Sequence, residues 1–264
     1  MAVKIMTKPA QMQKASQAWR KKGLQIALVP TMGALHEGHL ALIRRAVALA
    51  DRVVVSAYVN PTQFNSRADL QKYPYRPGQD AALAKQAGAD LLFRPLGLYA
   101  KDASTWVEEK DCSRGRCGDR RPGHFRGVAT VVTKLFHLVQ PDVAVFGDKD
   151  RQQCEVMERM VRDLFFPVRI VRHAVVREKD GLPRSSRNSR LNSVQRRTAG
   201  SWARTLAEAA RAGKERALSL YRQKLKKVPG ARHEYAETHG GQLYAAVRVG
   251  GVRLIDHRPC GRSR

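Results

Sequence analysis

Between residues 25 and 171, short apolar runs alternate with stretches of helical periodicity, and this alternation limits the fold more tightly than any other feature of the chain. Residues 25–30 form an apolar run closed by Pro30, and residues 52–59, 90–93, 143–146 and 166–171 repeat the form at the length of a buried strand. In the stretch 38–51, Leu40, Leu42, Ile43, Val47 and Leu49 fall at helical spacings, and residues 80–87, 130–138 and 152–164 carry further helical patterns. Strands alternating with helices of this length predict an α/β fold, a doubly wound parallel sheet covered on both faces. In such sheets ligands bind at the carboxyl ends of the strands.

After residue 193 the texture changes. Ala, Leu, Arg and Lys dominate a helical region up to Lys227, and residues 244–249 and 252–255 read as a hairpin turning at Gly250-Gly251. A first domain over 1–182 and a smaller C-terminal α+β domain over 183–264 are expected, joined near residues 179–183. With 264 residues, 43% of them hydrophobic, the chain has enough apolar surface for a buried core, which excludes disorder as its main state. No apolar run reaches the ~18 residues of a membrane span, and residues 1–10 lack the apolar segment of a secretory signal. Cys112, Cys117, Cys154 and Cys260 are too irregularly spaced for a disulfide scaffold or a zinc site, so reduced thiols in a cytoplasmic protein are expected.

Charge is the unusual quantity: 49 Lys+Arg against 23 Asp+Glu leave +26. Such a balance suits a phosphorylated small substrate or a polyanion, and equally a chain that is basic for no functional reason. Only 6% of residues are aromatic, and no helix-turn-helix or zinc-finger pattern is present to turn charge into base recognition.

Chemistry concentrates where the apolar runs end. The first leads into Pro30, Thr31, Met32, Gly33, Ala34, Leu35, His36, Glu37, Gly38 and His39, where a helix is expected to begin. Glycines that let backbone approach a ligand, a helix N-terminus with unpaired N–H groups, and two nearby imidazoles make a phosphate-binding arrangement, with His39 nearest the phosphates. Taken alone, a His-x-x-His pair is equally a surface feature or a fragment of a metal site, although the spacing is not that of a metalloprotease helix. Asn60 and Gln63 leave the second run at the same edge, as amides for a small polar substrate or as parts of an Asn-Pro turn. Lys149, between Asp148 and Asp150 after Gly147, can neutralise a phosphate or form a local ion pair. Ser185, Ser186 and Arg187 can hold a leaving diphosphate or cap a helix.

Together, residues 30–39, 59–64, 121–128, 147–153 and 185–188 resemble, in order and spacing, the pantothenate synthetase family, the pantoate–β-alanine ligases among HIGH-type nucleotidyltransferases. The resemblance covers residues 3–195 and resumes at 247–256. It implies a Rossmann-like domain with a small C-terminal lid, acting on ATP, pantoate and β-alanine with Mg2+, in a homodimer; no membrane partner is expected from the apolar runs, and no nucleic-acid partner despite the basic charge. Pantoate would attack the α-phosphate of ATP to give pantoyl adenylate and diphosphate, and β-alanine would then displace AMP. Carried over, Met32, Gly33, Ala34, Leu35, His36, Glu37, Gly38 and His39 line the ATP site. Gly147, Asp148, Lys149, Asp150 and Val176 hold the adenosine side, and Arg184, Ser185, Ser186 and Arg187 close over the phosphates. His39, His36 and Lys149 are the catalytic candidates, while Gln63, Asn60 and Gln153 bind pantoate.

The chain departs from the family pattern at Asp148, where glutamate is common, and at Pro183-Arg184, where small or apolar residues are usual. The family's acidic run is reduced to Gly78, Gln79 and Asp80, with Tyr75 in place of an arginine. No protein carboxylate is therefore expected to bind Mg2+, which would ride on ATP phosphates and water. Two other readings stand beside the ligase: an inactive relative associated with nucleic acid through its charge, and a HIGH-type nucleotidyltransferase for another carboxylic acid.

Overall fold

The computed structural model describes residues 3–261. In chain order its elements are β1 (Lys4–Met6), α1 (Pro9–Lys21), β2 (Ile26–Thr31), α2 (Glu37–Val47), β3 (Arg52–Ala57), α3 (Arg67–Gln71), α4 (Pro77–Gln86), β4 (Leu91–Phe93), α5 (Arg116–Arg120), α6 (His124–Val139), β5 (Val143–Gly147), α7 (Arg151–Asp163), β6 (Arg169–His173), α8 (Ser193–Arg211), α9 (Lys214–Leu225), β7 (Ala231–His239), β8 (Gln242–Val249) and β9 (Val252–Pro259). By compactness the chain divides into two units: the chain up to Asp148 with Gln152–Ala174, and Lys149–Arg151 with the chain from Val175 onward.

The first unit holds a parallel sheet in the order β1-β4-β3-β2-β5-β6. Its strands read as unbroken apolar runs because both faces are covered: Ile26, Leu28, Val54, Leu91, Leu92 and Phe93 have no exposed surface. α2 turns Leu40, Leu42, Ile43 and Ala46 toward the core. The order grows from β2 toward β3 and β4 on one side and from β5 toward β6 on the other. The sheet therefore has its topological switch between β2 and β5, which pair at Ala27–Val143 and Leu28–Ala144. Chains leaving adjacent strands at a switch diverge, and the crevice they leave is where such sheets take ligands.

Several boundaries differ from the sequence expectation. The expected strand over 166–171 begins only at Arg169, because Phe165 adopts φ +53°, Pro167 offers no N–H, and Phe166 packs edge-on against Phe136. β1 and α1 escape periodicity: β1 is three residues long, and α1 buries only Met12 and Ser16. α6 starts at His124, earlier than the apolar pattern predicts, behind Gly123 at φ +76°.

The second unit packs α8 and α9 with an antiparallel sheet in the order β7-β8-β9. Its core contains Trp202, Leu206, Tyr221, Leu243 and Val247, and the Trp202 indole N–H donates to the Tyr221 hydroxyl at 2.9 Å. α8 opens with an Asn192 cap reciprocated by Gln195. The single helical region expected over 193–227 breaks at Gly213, whose φ of +85° a side-chain-bearing residue rarely adopts. The Gly250-Gly251 hairpin is present, with β7 added beside it; that strand's polar sequence buries only Ala236. Residues 175–182, expected in the first domain, group with this unit: Leu182 lies in its core and Arg177 pairs with Asp256. Among the described residues, no helix is long and apolar enough to cross a membrane.

Candidate active site

The β2 exit is fixed by side-chain hydrogen bonds. Thr31 at the strand end donates through Oγ1 to the Ser56 carbonyl at 2.6 Å and accepts the Gly33 N–H at 3.1 Å. Gly33 (φ +78°) and Ala34 (φ +50°) are both left-handed. The N–H groups of Ala34 and Leu35 then point at one carboxylate, that of Asp80 on α4, at 3.0 and 2.7 Å. A Cβ at position 33 would lie 2.9 Å from Asp80 Oδ2, so glycine is required here for space as well as for φ.

His36 is the N-cap of α2, and its Nδ1 accepts the Gly38 N–H at 3.1 Å. A ring nitrogen that accepts a backbone N–H carries no proton, which places the proton of a neutral His36 on Nε2. The His39 ring stacks on His36 with centroids 4.0 Å apart, so the two imidazoles form one block. This corrects the expectation of unpaired N–H groups at the helix start. The Gly38 N–H is held by an imidazole, the His39 and Leu40 N–H groups by the His36 carbonyl, and the Ala34 and Leu35 N–H groups by Asp80. Met32, His36, Glu37, Gly38 and His39 are half-buried, whereas Gly33, Ala34 and Leu35 are buried.

At the β3 exit, a short 3-10 turn over Pro61–Gln63 brings Asn60 and Gln63 together, both buried. Asn60 Nδ2 donates to Gln63 Oε1 at 3.1 Å and to the Gly127 carbonyl at 3.0 Å, and Gln63 Nε2 reaches Met32 Sδ at 2.9 Å. The amide of Gln63 is thereby tied to the β2 loop. Its backbone is held from the start of α6 and the residues just before it: the Gln63 carbonyl meets His124 Nδ1 at 2.9 Å and the Arg121 guanidinium at 3.1 Å. Arg121, His124 and Gly127 thus buttress Gln63, a role that their place in a resembling motif does not disclose.

At the β5 exit, Gly147 faces Leu42 of α2, and Asp148 meets Arg172 of β6 at 3.4 Å. Arg172 also makes a paired contact with Glu158, which holds the guanidinium still more firmly in its charged form. On α7, Gln152 and Gln153 diverge. Gln152 is buried, donating to the carbonyls of Cys112, Arg114 and Gly115 and accepting the Cys117 N–H, whereas Gln153 is half-buried. Gln152 locks the loop over 112–117, which leaves Gln153 as the amide suited to a ligand.

In the second unit, Lys149 and Asp150 form an ion pair at 3.4 Å. Residues 176–184 fold back on themselves: Val176 accepts the Arg184 N–H at 2.9 Å, and Arg177 bridges to Pro183. The loop is pinned by Asp256, whose side chain has no exposed surface and which takes both Arg177 nitrogens at 2.7 and 3.0 Å. Asp180 accepts from Arg196, which lowers its pKa. Ser185 caps a 3-10 turn by accepting the Arg187 N–H at 3.2 Å, with Ser186 the first residue of that turn, and Arg184 pairs with Glu178 at 3.2 Å.

A doubly wound parallel sheet, with stacked imidazoles and a glycine turn leaving β2 and buried amides leaving β3, defines a Rossmann-like α/β protein. Residues 4–259 match the family model described as pantoate-beta-alanine ligase. A pantothenate synthetase of Chelativorans sp. is 43% identical over 284 residues, covering 98% of each chain. The crystal structure of pantothenate synthetase from Thermus thermophilus superposes with a TM-score of 0.90 at 38% identity, over 98% of this chain and 100% of that one. The pantoate-beta-alanine ligase of Francisella tularensis, complexed with beta-gamma ATP and beta-alanine, gives 0.88 at 33% identity over 98% of each chain. The chain belongs to the pantoate–β-alanine ligase family.

Proposed function

We propose that the protein condenses (R)-pantoate with β-alanine in an ATP-dependent reaction passing through pantoyl adenylate, with release of AMP and diphosphate. One observation carries this reading: the family match spans residues 4–259, and its chemistry-bearing segments in the first unit lie at the exits of adjacent strands β3, β2 and β5. In the first step a pantoate carboxylate oxygen bonds to the α-phosphorus and the bond to the bridging oxygen of diphosphate breaks. Negative charge accumulates on the phosphate oxygens, so the protein's task is to supply donors and cations there and to hold the two reactants in line.

His36, with its proton on Nε2, and the stacked His39 supply N–H donors for those oxygens. Lys149, Ser185, Ser186 and Arg187 add charge and hydroxyls, Arg184 joins them in covering ATP, and Gly147, Asp148, Asp150 and Val176 line the adenosine side. Gln63, Asn60 and Gln153 orient pantoate by its polar groups. In the second step the amine of β-alanine attacks the acyl carbon and AMP leaves. The carboxylates here are poor metal ligands, because Asp80 faces backbone N–H groups, Asp148 faces Arg172 and Asp150 faces Lys149. Mg2+ would travel with ATP and neutralise its phosphates. The active form in this reading is a homodimer.

Purified protein given pantoate, β-alanine, ATP and Mg2+ is expected to release AMP and pantothenate in equal amounts, and absence of AMP would overturn the reading. Substituting His39→Ala should slow adenylate formation at least tenfold; a change within about threefold would remove His39 from the chemistry.

A further inference from the structure

We propose that Asp80 is a positioning residue for the adenylation step, acting through the loop between β2 and α2. The inference rests on the ligase reading of this site. Asp80 lies in the first turn of α4, remote in sequence from the loop, and is 3% exposed. Its oxygens take one N–H each from Ala34 and Leu35, at 3.0 and 2.7 Å.

In this turn the consecutive N–H groups of Ala34 and Leu35 point to one side and form a concave nest of the kind that binds anions. Here the anion is internal. The carboxylate occupies the nest that a phosphate would otherwise fill, so the Ala34 and Leu35 N–H groups are engaged before ATP arrives and do not themselves hold the triphosphate. Within this segment, contact with the phosphates then falls to side chains carried just beyond the nest, the stacked pair His36 and His39. Ala34 at φ +50° is a conformation that a residue with a Cβ holds only when its surroundings impose it, and the Asp80 carboxylate is what imposes it. The crowding between position 33 and Asp80 Oδ2 makes the arrangement mutual: the loop needs Gly33 so that the carboxylate can approach, and the carboxylate keeps Gly33 and Ala34 left-handed.

The substitution Asp80→Asn keeps the shape but replaces one acceptor by a donor, so one loop N–H is left facing an N–H. Three measurements on the full chain test the inference: pantoate-dependent exchange of labelled diphosphate into ATP, aminolysis of supplied pantoyl adenylate by β-alanine, and thermal melting. Exchange should fall at least tenfold through kcat, while aminolysis, which handles no triphosphate, stays within about threefold and the melting temperature within a few degrees. Equal loss in both half-reactions, or parent-level exchange, would overturn the inference. If the parent protein itself shows no exchange, the ligase reading fails instead. Should Asp80→Asn not fold, amide hydrogen exchange on the parent decides. The Ala34 and Leu35 N–H groups should be protected equally with and without ATP, and protection that appears only with ATP would show that phosphate, not Asp80, holds them.

Discussion

Replacing Gly127 by alanine should damage pantoate handling from a helix that carries none of the pantoate-binding candidates. A Cβ at this position in α6 would lie 2.6 Å from the Thr62 carbonyl oxygen, 2.7 Å from its carbon and 2.9 Å from the Gln63 nitrogen, where ordinary contacts begin at 3.4 Å. All three atoms are backbone, so no side chain can swing away, and the 3-10 turn must retreat by roughly half an ångström or more. The Gln63 carbonyl is clamped by His124 and Arg121, and Asn60 is bonded to the Gly127 carbonyl, so the turn cannot retreat without disturbing its amides. Overpacking of this kind costs about 1–3 kcal/mol, partly offset by about 1 kcal/mol from alanine's better helix propensity. The net loss of stability should be about 0–2 kcal/mol. Misplacement by ~1 Å at a reacting centre costs about a hundredfold, so a shift of half that size should lower kcat/KM for pantoate about tenfold. Steady-state kinetics with pantoate varied, alongside a urea melt, measure both effects, and KM for ATP should stay within about threefold. If kcat/KM for pantoate stays within about twofold, the Gln63 turn is not held as described.

Further outcomes follow from the same geometry. Tyr221→Phe should destabilise the protein by about 1–3 kcal/mol in denaturant titrations, because the buried Trp202 N–H loses its acceptor. Burial pushes the Tyr221 phenol up to about 12, from an ordinary 10.0. Its contribution is therefore complete below pH ~10 and is lost as pH rises toward about 12, and Tyr221→Phe should flatten that alkaline limb. Arg196 holds the Asp180 carboxyl below its ordinary 3.8, so the stability it contributes is present above that value and lost as pH falls through the lowered one. Asp180→Asn should weaken the acid dependence of the urea midpoint below pH ~4, by under about 1 kcal/mol because the pair is partly exposed. Gln153→Ala should raise KM for pantoate at least fivefold and leave KM for ATP unchanged, a split that initial-rate kinetics resolves.

The parallel sheet is legible in the sequence because β2, β3, β4 and β5 are buried on both faces and so appear as continuous apolar runs. Elements held by few apolar residues are not: β1 has a single half-buried methionine, and β7 is mostly charged and polar around one buried alanine. The positions of His36, His39, Asn60 and Gln63 at strand exits also follow from the sequence, since a motif beginning where an apolar run stops must sit at the carboxyl edge. What sequence does not reveal is which groups are already engaged inside the protein. Asp80 reads as the remnant of an acidic run, yet it faces the N–H groups of Ala34 and Leu35 across 46 and 45 residues of chain. Gln152 and Gln153 are indistinguishable as letters, and only the helical turn of α7 buries one among carbonyls. Hydrogen bonds between distant segments leave no local periodicity, which is why supporting residues escape a reading of motifs and apolar runs.

Diphosphate exchange tests the central assignment most directly, because it isolates formation of the acyl adenylate. With ATP, Mg2+ and labelled diphosphate, the protein should incorporate label into ATP only when pantoate is present, with no need for β-alanine. Exchange that proceeds without pantoate, or none at all in its presence, would contradict adenylation of pantoate at this sheet edge.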